Sequence, residues 1–432
     1  MRIDRRLFTA ALGALSLQAA ASTSLLAADQ WLQFRGNHGD GVSPTADLPL
    51  HWSAMENIAW RCELPGSGWS SPVVAGNRIY VTAAIPAGAT DASKSEPIDL
   101  DLVLLVVDAR AGKVLQTVKL FKQTAKTAPK IHSKNSHASP TPLIDGDRIY
   151  VHFGHQGTAA LKLDGTIVWK NDALGYPPVH GNGGSPVLVS GKLIFSEDGS
   201  EKGEVLALDA ATGQVAWRTE RKAEAGKKFS FCTPLVTTVG NQVQVIVPGS
   251  NVVQGLDPIT GEEIWRVRYE GYSVIPRPII AAGLVMVCTG YDAPGMIAIR
   301  PDGKGDVTDS HVAWSSKANI PHTPSLVTKD GLLFMVSDKG IAGCLDAKTG
   351  EQLWRERIGG NFSASPILAG NRVYILSEEG VCTVFEAGRA FKELAKNSLD
   401  ERTLASPAII DKDLLIRTKS QLVRVSETAT KR

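Results

Sequence analysis

Ser185-Pro186-Val187-Leu188-Val189-Ser190-Gly191-Lys192-Leu193-Ile194-Phe195-Ser196 is one copy of a phrase that the chain repeats eight times. A small residue and a proline open a short apolar run, a turn reverses the chain, and a second apolar run returns. The other copies open at Ser71-Pro72, Thr141-Pro142, Thr233-Pro234, Arg277-Pro278, Thr323-Pro324, Ser365-Pro366 and Ser406-Pro407. From Pro142 onward the prolines stand 44, 48, 44, 46, 42 and 41 residues apart. A period in the forties is the mark of a repeat architecture.

The same copy continues through Glu204–Asp209, the turn Ala211-Thr212-Gly213 and Val215–Thr219. That makes four short strands joined by turns, which is one blade of a β-propeller. The second half has its own signature, Asp209-x-x-Thr212-Gly213-x-x-x-Trp217, repeated at Asp257 to Trp265 and at Asp346 to Trp354. Looser copies run from Asp164 to Trp169 and from Asp302 to Trp314. The glycine supplies a left-handed turn position, and the tryptophan is expected to fill the wedge between blades. The anchor proline suits the start of an innermost strand with a free edge. The fold expected is all-β: an eight-bladed β-propeller of four-stranded antiparallel blades. The last blade lacks a fourth strand after Leu422–Val425, and Asn57–Arg61 is the strand expected to pair there and close the ring.

The 432 residues include 46 basic and 44 acidic side chains, a net charge of +2, so composition gives no reason to expect nucleic acid as a partner. Met1–Arg6 is basic and Leu7–Ala28 is rich in alanine and leucine, so residues 1–28 read as an export signal. Arg5-Arg6-Leu7-Phe8 is similar to a twin-arginine signal, with Asp4 where serine or threonine is usual; the general secretory route is the alternative. Cleavage is expected near Ala28, with Ala21 the second choice. Residues 29–51 then form an N-terminal extension, 52–425 the propeller and 426–432 a tail, with no transmembrane span after the signal. The chain is expected to be a monomer of the periplasm or another extracytoplasmic envelope compartment. Five cysteines, Cys62, Cys232, Cys288, Cys344 and Cys382, are scattered without a C-x-x-C pair. They read as small buried hydrophobes, and the odd number leaves at least one free.

The D-x-x-T-G-x-x-x-W copies resemble the pyrroloquinoline-quinone-like (PQQ-like) propeller family over about residues 52–425. That family includes quinoprotein alcohol dehydrogenases and a non-enzymatic propeller lipoprotein that helps insert outer-membrane barrels. Trp31-Leu32-Gln33-Phe34-Arg35-Gly36 with Gly39-Asp40-Gly41-Val42-Ser43 is similar to the opening of exported planctomycete-type members of unassigned function, as is Ile131–Pro140 to a second segment of them. The resemblance to quinoprotein dehydrogenases implies PQQ, Ca²⁺ held by Glu and Asn, a catalytic Asp and a vicinal Cys-Cys pair. The sequence has no Cys-Cys, no C-x-x-C-H haem site and no D-x-D-x-D-G loop. No nucleophile–base motif stands in their place, so no catalytic residue and no metal ligand is assigned.

Propeller geometry gathers the loop leading into each innermost strand and the loop between second and third strands on one face, around the channel mouth. There the sequence places His132, His137, His180, Asn182, Arg277, His322 and Asn361 in lead-in loops, and His155, Tyr291 and Asp292 in the others. These are the candidate residues for an unknown protein or small ligand at the channel mouth. Polar loops there are also simply solvated, and no compact histidine spacing marks a metal site. Arg277 replaces the Ser or Thr of the other anchors and would suit a carboxylate or phosphate; the plainer expectation is an ion pair with a neighbouring loop. The inserts Pro86–Asp99 and Lys122–Ser136 are further pointers to a binding face, and Trp31–Gly41 is long enough to lie across one end of the channel. The function expected is a non-catalytic binding or interaction scaffold of the envelope; the alternative is a PQQ-dependent or other redox-active dehydrogenase.

Overall fold

The computed structural model describes residues 30–87, 99–126, 128–292 and 294–427. The export signal, its twin-arginine motif, most of the Pro86–Asp99 insert and the end of the tail lie outside the described residues. The strands form eight sheets, one for each copy of the repeat. In blade 3, Val187–Val189, Lys192–Asp198, Gly203–Asp209 and Val215–Glu220 pair in sequence order, all antiparallel. The ring closes as expected: Ile58–Glu63 pairs antiparallel with Gln421–Val425, with Cys62 opposite Leu422. Closure by an N-terminal strand turns the last three-stranded unit into a full blade and holds both ends of the ring in one sheet. Among the described residues no helix is long and apolar enough to cross a membrane.

The tryptophans join blade to blade. A register shift in the third strand, as between Ala207 and Leu208, turns the facing Trp toward the next blade. Trp217 Nε1 then donates to Pro258 O at 3.1 Å, and its ring covers Gly261, where an added Cβ would lie 2.5 Å away. The pattern repeats for Trp60 on Ala109 O, Trp169 on Ala210 O, Trp314 on Ala347 O and Trp354 on Gly388 O. Gly112, Gly213, Gly261 and Gly350 have positive φ and lie flat under these rings, so the signature glycine serves both turn and docking. Trp265 departs from the expectation. It is fully buried in its own blade, over Gly255, with Nε1 donating to Gln244 Oε1 at 2.8 Å. In blade 5 the connection from Ile299 to Val312 is longer than the other turns of its kind, and its Gly305–Asp306 adds to the edge of Glu263–Arg268 instead.

The hydroxyl of the anchor step is a second link between blades. Ser71 N–H donates to Thr141 Oγ1, Thr141 N–H to Ser185 Oγ and Ser185 N–H to Thr233 Oγ1, at 2.9–3.0 Å. Arg277 N–H donates to Ser325 Oγ, Ser325 N–H to Ser365 Oγ and Ser365 N–H to Ser406 Oγ, over the same range. One anchor is therefore corrected: in blade 6 the equivalent step is Ser325-Leu326, not Thr323-Pro324, because the innermost strand begins at Val327. Thr323 Oγ1 is engaged with Asp338 instead, at 2.7 Å. Arg277 has no hydroxyl to offer Thr233, and its Nε donates to Pro234 O at 3.1 Å.

The N-terminal extension lies inside the channel rather than across its end. Trp31 pairs with Val74 on the innermost strand of blade 1, and Val42–Ser43 runs parallel to the innermost strand of blade 7. Leu32 O accepts Ile144 N–H of blade 2 at 2.8 Å. The bend between them is a plug inserted from the lower face, the face that carries the D-x-x-T-G turns. All five cysteines are buried and free, as small hydrophobes are.

Candidate functional site

Arg277 belongs to the plug and not to the channel mouth. It is 3% exposed, and its Nη1 donates to Phe34 O at 3.0 Å. Gly39 lies against the guanidinium so closely that an added Cβ would sit 1.8 Å from Nη1. Arg35, 2% exposed, donates from Nη2 to Asp40 O and Leu326 O and from Nη1 to Pro366 O, and Gly41 packs on it. Burial pushes Arg35 down to about 9, with the Arg277 charge adding to it, and burial pushes Arg277 down to about 10; the Asp40 carboxylate opposes both. Both remain cations at neutral pH, held by carbonyl oxygens. The expectation of a ligand-facing Arg277, or of its ion pair with a neighbouring loop, is thus replaced by a plug fastening. The residue breaks the hydroxyl pattern because its side chain is needed on the axis.

Four of the expected residues come together on the upper face. His132 and His180, from the lead-in loops of blades 2 and 3, meet edge to face with centroids 5.6 Å apart. The series continues from His180 to Phe229 at 5.4 Å, Phe229 to Tyr272 at 5.5 Å, Tyr272 to Tyr291 at 6.3 Å and Tyr291 to His322 at 5.3 Å. Six rings from the loops of blades 2 to 6 thus form one arc around the mouth. Each ring presents its edge to a neighbour's face, the favoured arrangement for aromatic quadrupoles, so the rings brace one another. His132 and His180 are exposed, Tyr291 is 54% exposed, and the others are half-buried. Lys227 Nζ stands 4.0 Å above the Tyr272 ring centre and donates to Tyr272 OH, which donates to Asp292 Oδ2. Asp292 therefore serves the arc by holding Tyr272. Phe229 was not among the sequence candidates. The signal available was a phenylalanine in the loop Lys227-Lys228-Phe229-Ser230, where a repeat turn has no structural need of one.

His137, His155 and Asn182 form a separate, more enclosed cluster between blades 2 and 3. His155 Nδ1 meets Asn182 Nδ2 at 3.0 Å, and Tyr176 OH donates to Asn182 Oδ1 at 2.8 Å. His155 Nε2 meets Gln156 Nε2, which also donates to Gln123 Oε1. His152 lies beneath, bonded to Thr158 Oγ1 and 4.2 Å from the Phe195 ring centre. Burial pushes His137 and His155 down to about 4 and His152 to about 3; the His155 charge also lowers the other two, and Asn182 partly offsets the drop at His155. All three imidazoles are neutral at pH 7. No group of three His, Cys, Asp or Glu side chains among the described residues is arranged to hold a metal.

The opposite half of the mouth carries Glu378 and Glu379, with Lys134 and Arg402 beside Glu378. Asn361 N–H and Nδ2 donate to Glu379, and Ser363 Oγ donates to Glu378. Lys134, in the long connection after blade 1, pairs with Glu378 of blade 7 at 2.7 Å, and Arg402 of blade 8 donates to Ser133 O. The connection therefore bridges from blade 2 across to blades 7 and 8. Asn361 is brought near this bridge and away from the ring arc. His322 is placed by its own N–H, which donates to Asp338 Oδ2 at 2.7 Å.

The arrangement offers shape, rings and charge. The profile of the family described as outer membrane protein assembly factor BamB matches residues 101–228, 201–306 and 303–428. A BamB from Yersinia pestis is 24% identical over 241 residues, 53% of this chain and 57% of that protein, so the chain spans little more than half of that relative's length. Among solved structures, BamB from Moraxella catarrhalis superposes with a TM-score of 0.57 at 14% identity, over 85% of this chain and 96% of that one. Quinohemoprotein alcohol dehydrogenase from Comamonas testosteroni gives 0.64 at 13% identity, over 92% and 81%. Both likenesses are likenesses of fold.

Proposed function

Because this chain belongs to the family of outer membrane protein assembly factor BamB, we propose that it is an exported, non-catalytic scaffold of the cell envelope that docks a partner protein on its upper face. The observation that carries the reading is the six-ring arc. Tyrosine and other aromatic side chains on a rigid frame are the residues from which binding hot spots are built, and the propeller needs none of these six for its own closure. Its blade links are made by tryptophans and anchor hydroxyls elsewhere. Export rests on the character of residues 1–28, and the partner follows from what the named relatives do in outer-membrane assembly.

The alternative requires PQQ with Ca²⁺ in the channel region. The described residues do not fit that group well. Cys62, Cys288, Cys344 and Cys382 lie in four separate strands and Cys232 in a lead-in loop, and the axis is occupied by the plug with Arg35 and Arg277 on it. Purified mature chain incubated with PQQ and Ca²⁺ and then desalted separates the readings. The scaffold is expected to retain no quinone absorbance and to reduce no dye with alcohols or sugars. Retained quinone with dye reduction overturns it.

A further inference from the structure

We propose that the cleft between blades 1 and 2 on the lower face is a docking site for a tryptophan carried on a peptide segment of a partner protein. The inference starts from the joints between blades. Trp60, Trp169, Trp217, Trp314 and Trp354 close five of the eight, each bonded to a carbonyl of the next blade. Blade 4 meets blade 5 through the added Gly305–Asp306. Blade 7 has Ala395 at the tryptophan position, opposite Val384 at the register shift. There a tryptophan from outside the repeat stands in. Trp52, on the segment 48–52, is buried in one apolar cluster with Ala395. Its N–H donates to Asn397 Oδ1 at 2.9 Å, and Arg372 and Tyr374 donate to Leu48 O.

The joint between blades 1 and 2 has no ring. Gln116 holds the tryptophan position, opposite Val106 at the same kind of register shift. Its amide lies over Gly165, where an added Cβ would meet it at 2.7 Å, as Gly261 lies under Trp217. The facing turn is also short: Asp164 and Gly165 are adjacent, whereas three residues separate Asp209 from Gly213. A thin side chain and a short turn leave a cleft of about 400 Å³, with Arg78, Tyr80, Asp108, Leu115 and Leu163 on its walls. That size is in the range of ligand clefts. Its floor matches blade 7. Asn77-Arg78-Ile79-Tyr80 repeats Asn371-Arg372-Val373-Tyr374, and Arg78 and Tyr80 donate to Leu163 O as Arg372 and Tyr374 do to Leu48 O. Leu115 is 56% exposed, and Ile167 and Val168, just past Gly165 on the outer strand, are 40% and 41% exposed. An indole placed there takes a large apolar surface out of water, and Gln116, being exposed, gives way as a hydrated amide. Arg78 and Asp108 suit the peptide groups beside the ring and disfavour a lipid chain.

The test uses the mature chain and a fluorescein-labelled peptide copying residues 47–54, with a twin that carries serine in place of the tryptophan. The tryptophan peptide is expected to bind about tenfold more tightly than its twin. Gln116→Trp should fill the slot, bring the two peptides to within about twofold of each other and raise the melting temperature by a few degrees. Leu115→Asp should weaken the tryptophan peptide about fivefold, whereas Ile259→Asp, at an exposed position of blade 4, should not. Melting temperatures close to the parent's certify that the two aspartate variants fold. Equal binding of the twins overturns the proposal. So does a tenfold preference that survives both Gln116→Trp and Leu115→Asp, because the peptide then sits elsewhere. Phe229→Ser, on the other face, should leave this binding unchanged, so the upper-face reading stands or falls separately.

Discussion

Gly39→Ala is expected to destabilise the folded chain by about 3 kcal/mol, and Arg277→Ala added in the same chain to cost little more. Gly39 has φ +69, where an L-residue is strained by about 1 kcal/mol or more. Its added Cβ would meet the Arg277 guanidinium at 1.8 Å. Arg277 can withdraw only by giving up Phe34 O and Pro234 O, and each abandoned buried carbonyl costs about 1–3 kcal/mol. Arg277→Ala alone loses the same two bonds but also removes a buried cation, so it is expected to cost about 2 kcal/mol. A double-mutant cycle by urea unfolding should show a coupling of about 2 kcal/mol. Strictly additive losses would mean that the plug and Arg277 do not depend on one another.

Acid is expected to unfold this propeller through its histidines before its carboxylates matter. The folded-state values of His137, His152 and His155 are pushed below 6.5, to about 4, 3 and 4. Below pH 6.5 the unfolded chain takes up protons that the folded chain refuses, so stability falls as pH falls through the window from 6.5 to about 4. At 1.36 kcal/mol for each unit, each group contributes on the order of 2–3 kcal/mol of loss by pH 4. The ion-paired acids follow lower: Asp306, held to about 2 by its bonds from Thr308 and Arg268, contributes stability that is lost only nearer that value. His152→Gln keeps a partner for Thr158 and removes one titrating group. Its urea midpoint should fall less steeply between pH 6.5 and 4 than the parent's. Parallel slopes would show that His152 does not titrate differently in the folded chain.

The repeat made the architecture legible because hairpin turns, alternate apolar runs and the D-x-x-T-G-x-x-x-W phrase are local signals. The closing strand was legible too, since a Trp-bearing strand before the first blade and a missing strand in the last are complementary. Blade 6 was misread by two residues because Thr323-Pro324 copies the local phrase, whereas the true anchor is fixed by Ser325 meeting its neighbours' N–H groups around the ring. The site was harder. His132, His180, Tyr291 and His322 could be assigned to one face from loop position, but their contacts run between loops of different blades. Arg277 shows the limit most clearly. Its departure from the repeat was visible, but its partner Phe34 lies 243 positions away on an extension outside the repeat.

The central claim is that the upper face, at the ring arc, is where a partner docks. A photo-crosslinking residue placed at Tyr291, exposed on the arc, and in a second chain at Ile259, exposed in a lower-face turn, tests it in intact cells. The account predicts that position 291 yields one discrete crosslinked envelope protein, that position 259 does not, and that Phe229→Ser diminishes the adduct at 291. A discrete adduct from 259 with none from 291 would contradict it.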